Sequence, residues 1–342
     1  MAQEQIGIRT VAEAAGVSVT TVSHALSGRG KVSPETRVRV QQIAAELGYA
    51  PNRIARALRS RRSNLLGFVS EEIATTPYAG QILVGAQEAA TELGLMLLIV
   101  NVNRDTYDDP QIDALLAQQV DGLIFASSSH RVISTPAKLD LDRTILVDAY
   151  DPRSTNPTVV PDEVGIGRLA TQHLVDAGHR HILHLTVDED VPAAHGRERG
   201  YRDVMRDHDL DARVVRVPGP ADAVAGGAAT RVADPANSGA TAVFTFNDQM
   251  AMGVYQELTY TDHVAIPAGI SVVGVDDLRL VAAALRPGLT TVALPHAAMG
   301  RRAVELAVRA AEDRGSGPLV ERLPGTLISR GSVAPPSIVT VP

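Results

Sequence analysis

Residues 8–26 read IRTVAEAAGVSVTTVSHAL, and this stretch decides how the first part of the chain folds. Ala12 is small enough for two helices to cross closely, and Gly16 follows the first helical segment where a turn needs positive φ. Val17 and Val22 have the size to fill the angle between the helices. Ser18 offers a capping oxygen to the second helix. The spacing predicts a helix-turn-helix. It places Val19, Thr20, Thr21, Ser23 and His24 near the start of the second helix, where a major-groove reader presents side chains to base edges and phosphates.

Downstream, Ser33, Pro34 and Glu35 make a third helix start: a capping hydroxyl, a ring whose missing N–H is harmless there, and an acidic first turn. Val40, Ile43, Ala44 and Leu47 share one face of that helix, and Gly48 stands where it should end. No alternating run in the first 48 residues suggests a strand, so the head (1–50) reads as all-α. The next segment, YAPNRIARALRSRRSN, links head to body. Pro51 breaks the chain and Asn52 caps a short helix with Ile54, Ala57 and Leu58 on one face and Arg53, Arg56 and Arg59 supplying charge. A helix of two turns is marginal alone, so a solvated basic linker over 51–62 is the competing reading.

Charge follows this division. The 342 residues carry a net charge of −7, yet residues 1–62 hold ten basic against four acidic side chains and the remainder 22 against 35. A basic head on an acidic body is the footprint of one small domain meeting phosphates while the larger part does other work. Hydrophobic residues at 45% and charged residues at 21% exclude a disordered chain, and the length calls for more than one folding unit. The absence of cysteine removes disulfides, thiolate zinc sites and a cysteine nucleophile. The opening residues lack a basic start with an apolar core, and no run approaches about 18 uninterrupted apolar residues. Secretion and membrane spanning are disfavoured, and a cytoplasmic location is expected.

From Leu65 the pattern changes to short apolar runs alternating with amphipathic stretches. Leu65–Val69, Met96–Val100, Gly122–Phe125 and Thr144–Val147 form one series. His181–Leu185, Val214–Val217, Ala242–Thr245 and Ser271–Val275 form a second, with helical segments such as Val164–Ala177 between them. Two successive β/α series predict two doubly wound parallel-sheet lobes, with ligand sites at the C-terminal ends of the strands.

Competing chemistries find little support. The string GIGRLA (165–170) satisfies a dinucleotide fingerprint, but Pro161, Asp162 and Glu163 separate its glycines from the preceding apolar run, so they are expected at a helix start against the sheet. His179, His181 and His184 surround a helix-to-strand turn without further ligands, and no metal site is expected. No nucleophile elbow or P-loop is present, so neither an enzymatic role nor a cofactor is indicated. A free solute-binding protein is the serious alternative, since the body alone would suit it; the helix-turn-helix and the missing leader argue against it.

The head motif VAEAAGVSVTTVSHALSG, the run VSPETRVRVQQIAAELGYAPNRIARALR, and the later GHRHI, FTFNDQMAMGV, SVVGVDD, LTTV and RGSVAPP resemble the LacI/GalR family of transcriptional regulators, in that family's order and over nearly the whole chain. The resemblance implies a periplasmic-binding-protein-like core over 63–342. Its first lobe would take about 63–161 plus 293–322, and its second about 162–292 plus 323–342. It implies a repressor that binds near-palindromic double-stranded operator DNA as a homodimer, or a dimer of dimers, under control of a small-molecule effector. DNA contacts are then expected from Ser18, Val19, Thr20, Thr21, Ser23, His24 and Ser27 in the head. In the hinge they are expected from Asn52, Arg53 and Ala55, with Leu58 wedging open a base step.

Effector contacts are implied at Arg197, Asn247 and Asp276, with Asp162 and Tyr78 completing the set. His24 departs from the family, which usually has arginine there, and an imidazole does not repeat the bidentate guanidinium contact to guanine. Gly7 likewise replaces a common capping threonine. Aromatic residues amount to 3%, and DAVAGGAATRVA (222–233) carries no ring. Sugar faces are commonly bound by stacked rings, so an ordinary pyranose is not favoured as effector.

Overall fold

The computed structural model describes residues 7–27, 30–49, 63–76, 79–104, 110–139, 143–311 and 320–337, and the chain divides into two units at Ser63. The hinge helix expected over 51–62, with Asn52, Arg53, Ala55 and Leu58, lies outside the described residues, as does Tyr78.

In the first unit α1 (Ile8–Ala15), α2 (Val19–Ser27) and α3 (Pro34–Glu46) close on a core of Val11, Ala12, Ala15, Val22, Ala25, Val40 and Ala44. Gly16 takes φ +63°, and the amides of Gly16 and Val17 return to Glu13 O and Ala12 O. This left-handed turn is what lets α2 start one residue after Ser18, whose Oγ accepts the Thr21 amide at 3.1 Å. Ser33 caps α3 through the Thr36 amide at 3.2 Å, with Pro34 in the first turn. Gly7 precedes α1 without a side-chain cap.

Among the described residues the second unit holds two six-stranded sheets. The first contains β1 (Leu65–Glu71), β2 (Met96–Val102), β3 (Gly122–Val132), β4 (Thr144–Tyr150), β5 (Thr158–Pro161) and β11 (Val320–Leu323), in the order β11-β5-β4-β3-β1-β2, all parallel. The second contains β6 (Ile182–Val187), β7 (Arg213–Val217), β8 (Ala242–Thr245), β9 (Ser271–Asp276), β10 (Thr290–Ala293) and β12 (Thr326–Ile328), in the order β12-β10-β9-β8-β6-β7. Among these described strands only β12 runs antiparallel to its neighbour. The chain passes between sheets after β5, after β10 and after β11, so three neighbouring connections join the lobes. Both predicted strand series are present, and the fold is the expected two-lobed one.

Among the helices, which include α5 (Pro110–Leu116) and α10 (Arg279–Ala282), three pairs cover the sheets with reciprocal glycine contacts. Between α4 (Gly80–Glu92) and α11 (His296–Ala311), a Cβ on Gly85 would stand 1.9 Å from Ala297 O and one on Gly300 1.9 Å from Ile82 O. Between α8 (Ala223–Ala233) and α9 (Asp248–Gln256), Gly226 and Gly253 would each meet a carbonyl, of Met250 and Ala223, at 2.0 Å. Between α6 (Glu163–Asp176) and α7 (Pro192–Asp207), Gly167 would meet Arg197 O and Gly200 would meet Val164 O, both at 2.2 Å. Side chains are excluded there because the backbones themselves touch. Gly167 of GIGRLA therefore serves a helix–helix crossing. The sequence sets Gly165 and Gly167 against the sheet; instead the neighbouring helix approaches Gly167, and a Cβ on Gly165 would meet the Asp162 carboxyl that caps its own helix.

Candidate functional site

On the head, Ser18, Val19 and Thr20 are exposed, while Thr21, Ser23 and His24 are half-buried. Ser18 is tied to its own helix, since its Oγ takes the Thr21 amide and lies 2.9 Å from Thr21 Oγ1. The His24 ring lies over Gly30, where a Cβ would fall 2.6 Å from Nδ1, so the residue across from this imidazole has to be glycine, at φ +77°. Ser27 is the last residue of α2.

In the second unit a cavity of about 290 Å³ opens between the lobes. The first lobe contributes Ser128 to Arg131 from the end of β3, Asp148 from β4 and His296 from the start of α11. The second contributes Glu163, Arg197, Phe246, Asn247 and Asp276. Most lie at or just beyond the C-terminal ends of parallel strands, where side chains and helix starts converge.

Arg197 organises the second-lobe wall. Its Nε donates to Glu163 Oε2 at 2.8 Å, its Nη1 to Phe246 O at 2.7 Å, and its guanidinium lies 4.6 Å above the Phe246 ring. Burial pushes the Glu163 carboxyl up, but the Arg197 charge and the His130 contact at 3.3 Å pull it further down, leaving it below the ordinary 4.5. The His130 contact joins the two lobes, because His130 is on β3 and Glu163 begins α6.

Two aspartates face the cavity in another state. Asp148 is 2% exposed, and its Oδ1 has no hydrogen-bond partner. Burial pushes its carboxyl up to about 7 against the pull of His130 and Arg197. Asp276, at the end of β9, is likewise pushed by burial to about 7 against the pull of Arg197. Both adopt positive φ, +53° and +119°, a region non-glycine residues rarely occupy and one that concentrates at functional positions. Behind Asp276, the Asp248 carboxyl is pushed well up by burial and by Asp276, while accepting from Thr291 Oγ1 at 2.6 Å and the Leu278 amide at 2.8 Å.

Of the residues expected at an effector site, Arg197, Asn247 and Asp276 line one cavity. Asn247 is also structural: its Oδ1 accepts the Met250 amide at the start of α9 and its Nδ2 donates to Ala221 O, both at 2.8 Å. Asp162 does not line the cavity. Its Oδ1 turns back to accept the Gly165 amide at 3.1 Å as the N-cap of α6, and Glu163, one residue later, takes the inward position. Asp148, Glu163, His130 and His296 were missed. Asp148 had a readable signal, an acidic residue ending the apolar run TILV; His130 had none, because β3 continues past the apolar stretch that marked it.

His184 is buried in β6, stacked on Phe244 at 4.5 Å, while His179 bonds Thr241 Oγ1 and Ala334 O at 2.9 Å each. Among the described residues no three metal-ligating groups come together, and no helix is long and apolar enough to cross a membrane.

Comparison with known proteins agrees with this division of the chain. Residues 7–52 match the bacterial regulatory proteins of the lacI family, and residues 171–333 match a periplasmic binding protein-like domain. The HTH-type transcriptional regulator DegA of Bacillus subtilis (strain 168) is 30% identical over 335 residues, covering 96% of this chain and 98% of that protein. The solved lac repressor dimer bound to operator and the anti-inducer ONPF superposes with a TM-score of 0.73 at 27% identity, covering 97% of this chain and all of that one. A transcriptional regulator CelR–cellobiose complex gives 0.65 at 28% identity over 96% of this chain and all of that one. A helix-turn-helix head, a two-lobed core and matches over nearly the full length place this chain in the lacI family of bacterial regulatory proteins.

Proposed function

We propose that this protein is a cytoplasmic transcriptional repressor whose head binds a near-palindromic operator and whose interlobe cavity takes a small polar effector that sets operator affinity. The observation that carries this reading is the pairing, in one chain, of an exposed recognition-helix start with a cavity walled by buried charged groups from both lobes. In the head, Val19, Thr20, Thr21, Ser23 and His24 are the base and phosphate readers, helped by Ser18 and Ser27. In the hinge, Asn52, Arg53 and Ala55 hold the minor groove and Leu58 supplies the apolar wedge. In the cavity, Arg197, Asn247 and Asp276 hold the effector, with Asp148 joining them from the other lobe.

The acting species is a homodimer, in keeping with the related lac repressor dimer on its operator. Effector binding between the lobes alters their relation and hence the spacing of the paired hinges. Coupling is reciprocal, because operator and effector each favour one arrangement of the same element. The relative solved with cellobiose supports a polyhydroxylated effector class.

Selection of labelled duplexes from a random library, followed by fluorescence anisotropy at two salt concentrations, tests the reading. A palindromic consensus that survives the higher salt is the expected result. Salt-labile binding without a consensus would leave only the electrostatic term common to all DNA, and the repressor reading would fall.

A further inference from the structure

The charges around the interlobe cavity are unevenly matched. Each of its three arginines lies against a glutamate: Arg197 against Glu163, Arg131 against the buried Glu71, and Arg104 against Glu72 at 3.8 Å. Among the described residues no lysine lines the cavity. Asp148 and Asp276 are different. They come from opposite lobes, neither forms an ion pair with a lysine or arginine within 4 Å among the described residues, and the His296 imidazole lies 3.9 Å from Asp148 Oδ2. One oxygen of Asp148 is buried without any partner. A desolvated carboxylate left in this condition is strongly unfavourable until an opposite charge or a donor reaches it.

Among the described residues the cavity also offers little for stacking a sugar face. Phe246 is the one phenyl ring among the described lining residues, and the Arg197 guanidinium already covers it at 4.6 Å. With the arginines engaged by glutamates, a phosphate or carboxylate would find no uncommitted lysine or arginine among the described lining residues and would meet surplus negative charge.

Resting on the reading of this cavity as the effector site, we propose that its ligand is a cationic polyol, a monosaccharide-sized hydroxylated ring bearing a protonated amine that Asp148 and Asp276 receive. Hydroxyls of the same ligand donate to the remaining carboxylate oxygens and accept from Arg197. Glu163 is then a charge-matching residue: it neutralises Arg197, so that the net field in the cavity stays negative.

The test uses the full chain and matched probes: D-glucosamine and D-galactosamine, their hydroxyl counterparts D-glucose and D-galactose, scyllo-inositol beside streptamine, and the acids D-glucuronate and D-galacturonate. Calorimetry and thermal melting at pH 7 read the binding, and calorimetry in two buffers of different ionisation enthalpy reads the proton count. The expected result is an amino member bound at least tenfold tighter than its hydroxyl counterpart, with proton release, and with the preference abolished in both Asp148→Asn and Asp276→Asn. Melting of the ligand-free variants shows whether each is folded. Equal or tighter binding of a hydroxyl or acidic member overturns the proposal while leaving the cavity as an effector site. If no member of any class binds, both the proposal and the polyol-effector reading fail.

Discussion

Arg197 and Glu163 meet at 2.8 Å with both side chains 4% exposed, so each is the condition under which the other can be buried. Removing one member strands a charge in a dry environment. Glu163→Gln or Arg197→Met alone should therefore lower stability by about 3–5 kcal/mol, while the double substitution recovers much of that loss. Urea denaturation of the three variants checks this. Additive losses in the double variant would mean that the pair is not coupled.

Asp148 predicts an opposite effect. Its carboxyl is raised to about 7 in the folded chain from an ordinary 3.8, so the folded state binds the extra proton and stability is lost as pH rises between those values. Asp148→Asn should then stabilise the ligand-free protein at pH 8, by about 2 kcal/mol, and by much less at pH 4.5. Comparing melting of variant and wild type at both pH values cancels the buried histidines, whose effects are common to the two proteins.

His184 adds to the acid sensitivity of the fold. Burial depresses its imidazole to about 4 from an ordinary 6.5, so the stability it contributes is present above 6.5 and lost as pH falls toward 4. His184→Gln should flatten the fall in melting temperature between pH 6.5 and 4.5. An unchanged acid slope would assign that fall to other groups.

Gly167 links the helix crossing to the cavity. A methyl group there would press on Arg197 O at 2.2 Å, so Gly167→Ala should destabilise by about 1–3 kcal/mol or more and displace Arg197 from Glu163 and Phe246. Gly80→Ala is the control, since nothing lies within 4 Å of a Cβ at that position in α4. It should be neutral or slightly stabilising, by up to about 1 kcal/mol. Melting of both variants, with effector titration once a ligand is in hand, separates a packing defect from a general glycine effect.

Ser18 tests the head. Its hydroxyl accepts the Thr21 amide, and Ser18→Ala should cost about 1 kcal/mol of head stability. Operator affinity should fall in parallel, and Ser18→Asp should restore the cap while adding a negative charge near phosphates. If Ser18→Asp restores DNA affinity in full, the N-terminus of α2 does not face the DNA backbone.

Much of this was legible along the chain because it depends on near neighbours. The Gly16 turn, the Ser18 and Ser33 caps and the alternation of apolar runs with amphipathic helices are decided by residues within a few positions of one another, and these features appear where the sequence puts them. Arg197, Asn247 and Asp276 could be named from motifs, and they line one cavity. Asp162 shows why the rest was harder to read: an acidic residue before a helix serves either as cap or as ligand, and in this structure its carboxyl turns back to cap.

What the sequence by itself determined is the order of elements, the all-α head, the two β/α series and the uneven charge between head and body. Only the tertiary structure decided which charges are matched. Glu163 meets Arg197 across 34 positions, His130 meets Glu163 across 33, and Arg131 meets Glu71 across 60, while Asp148 faces the same cavity with an oxygen left unpartnered. The physical reason is that desolvation and ion pairing depend on distance in space, and strand pairing within a sheet, packing of one helix on another and the crossings between the sheets bring together residues that no local pattern connects.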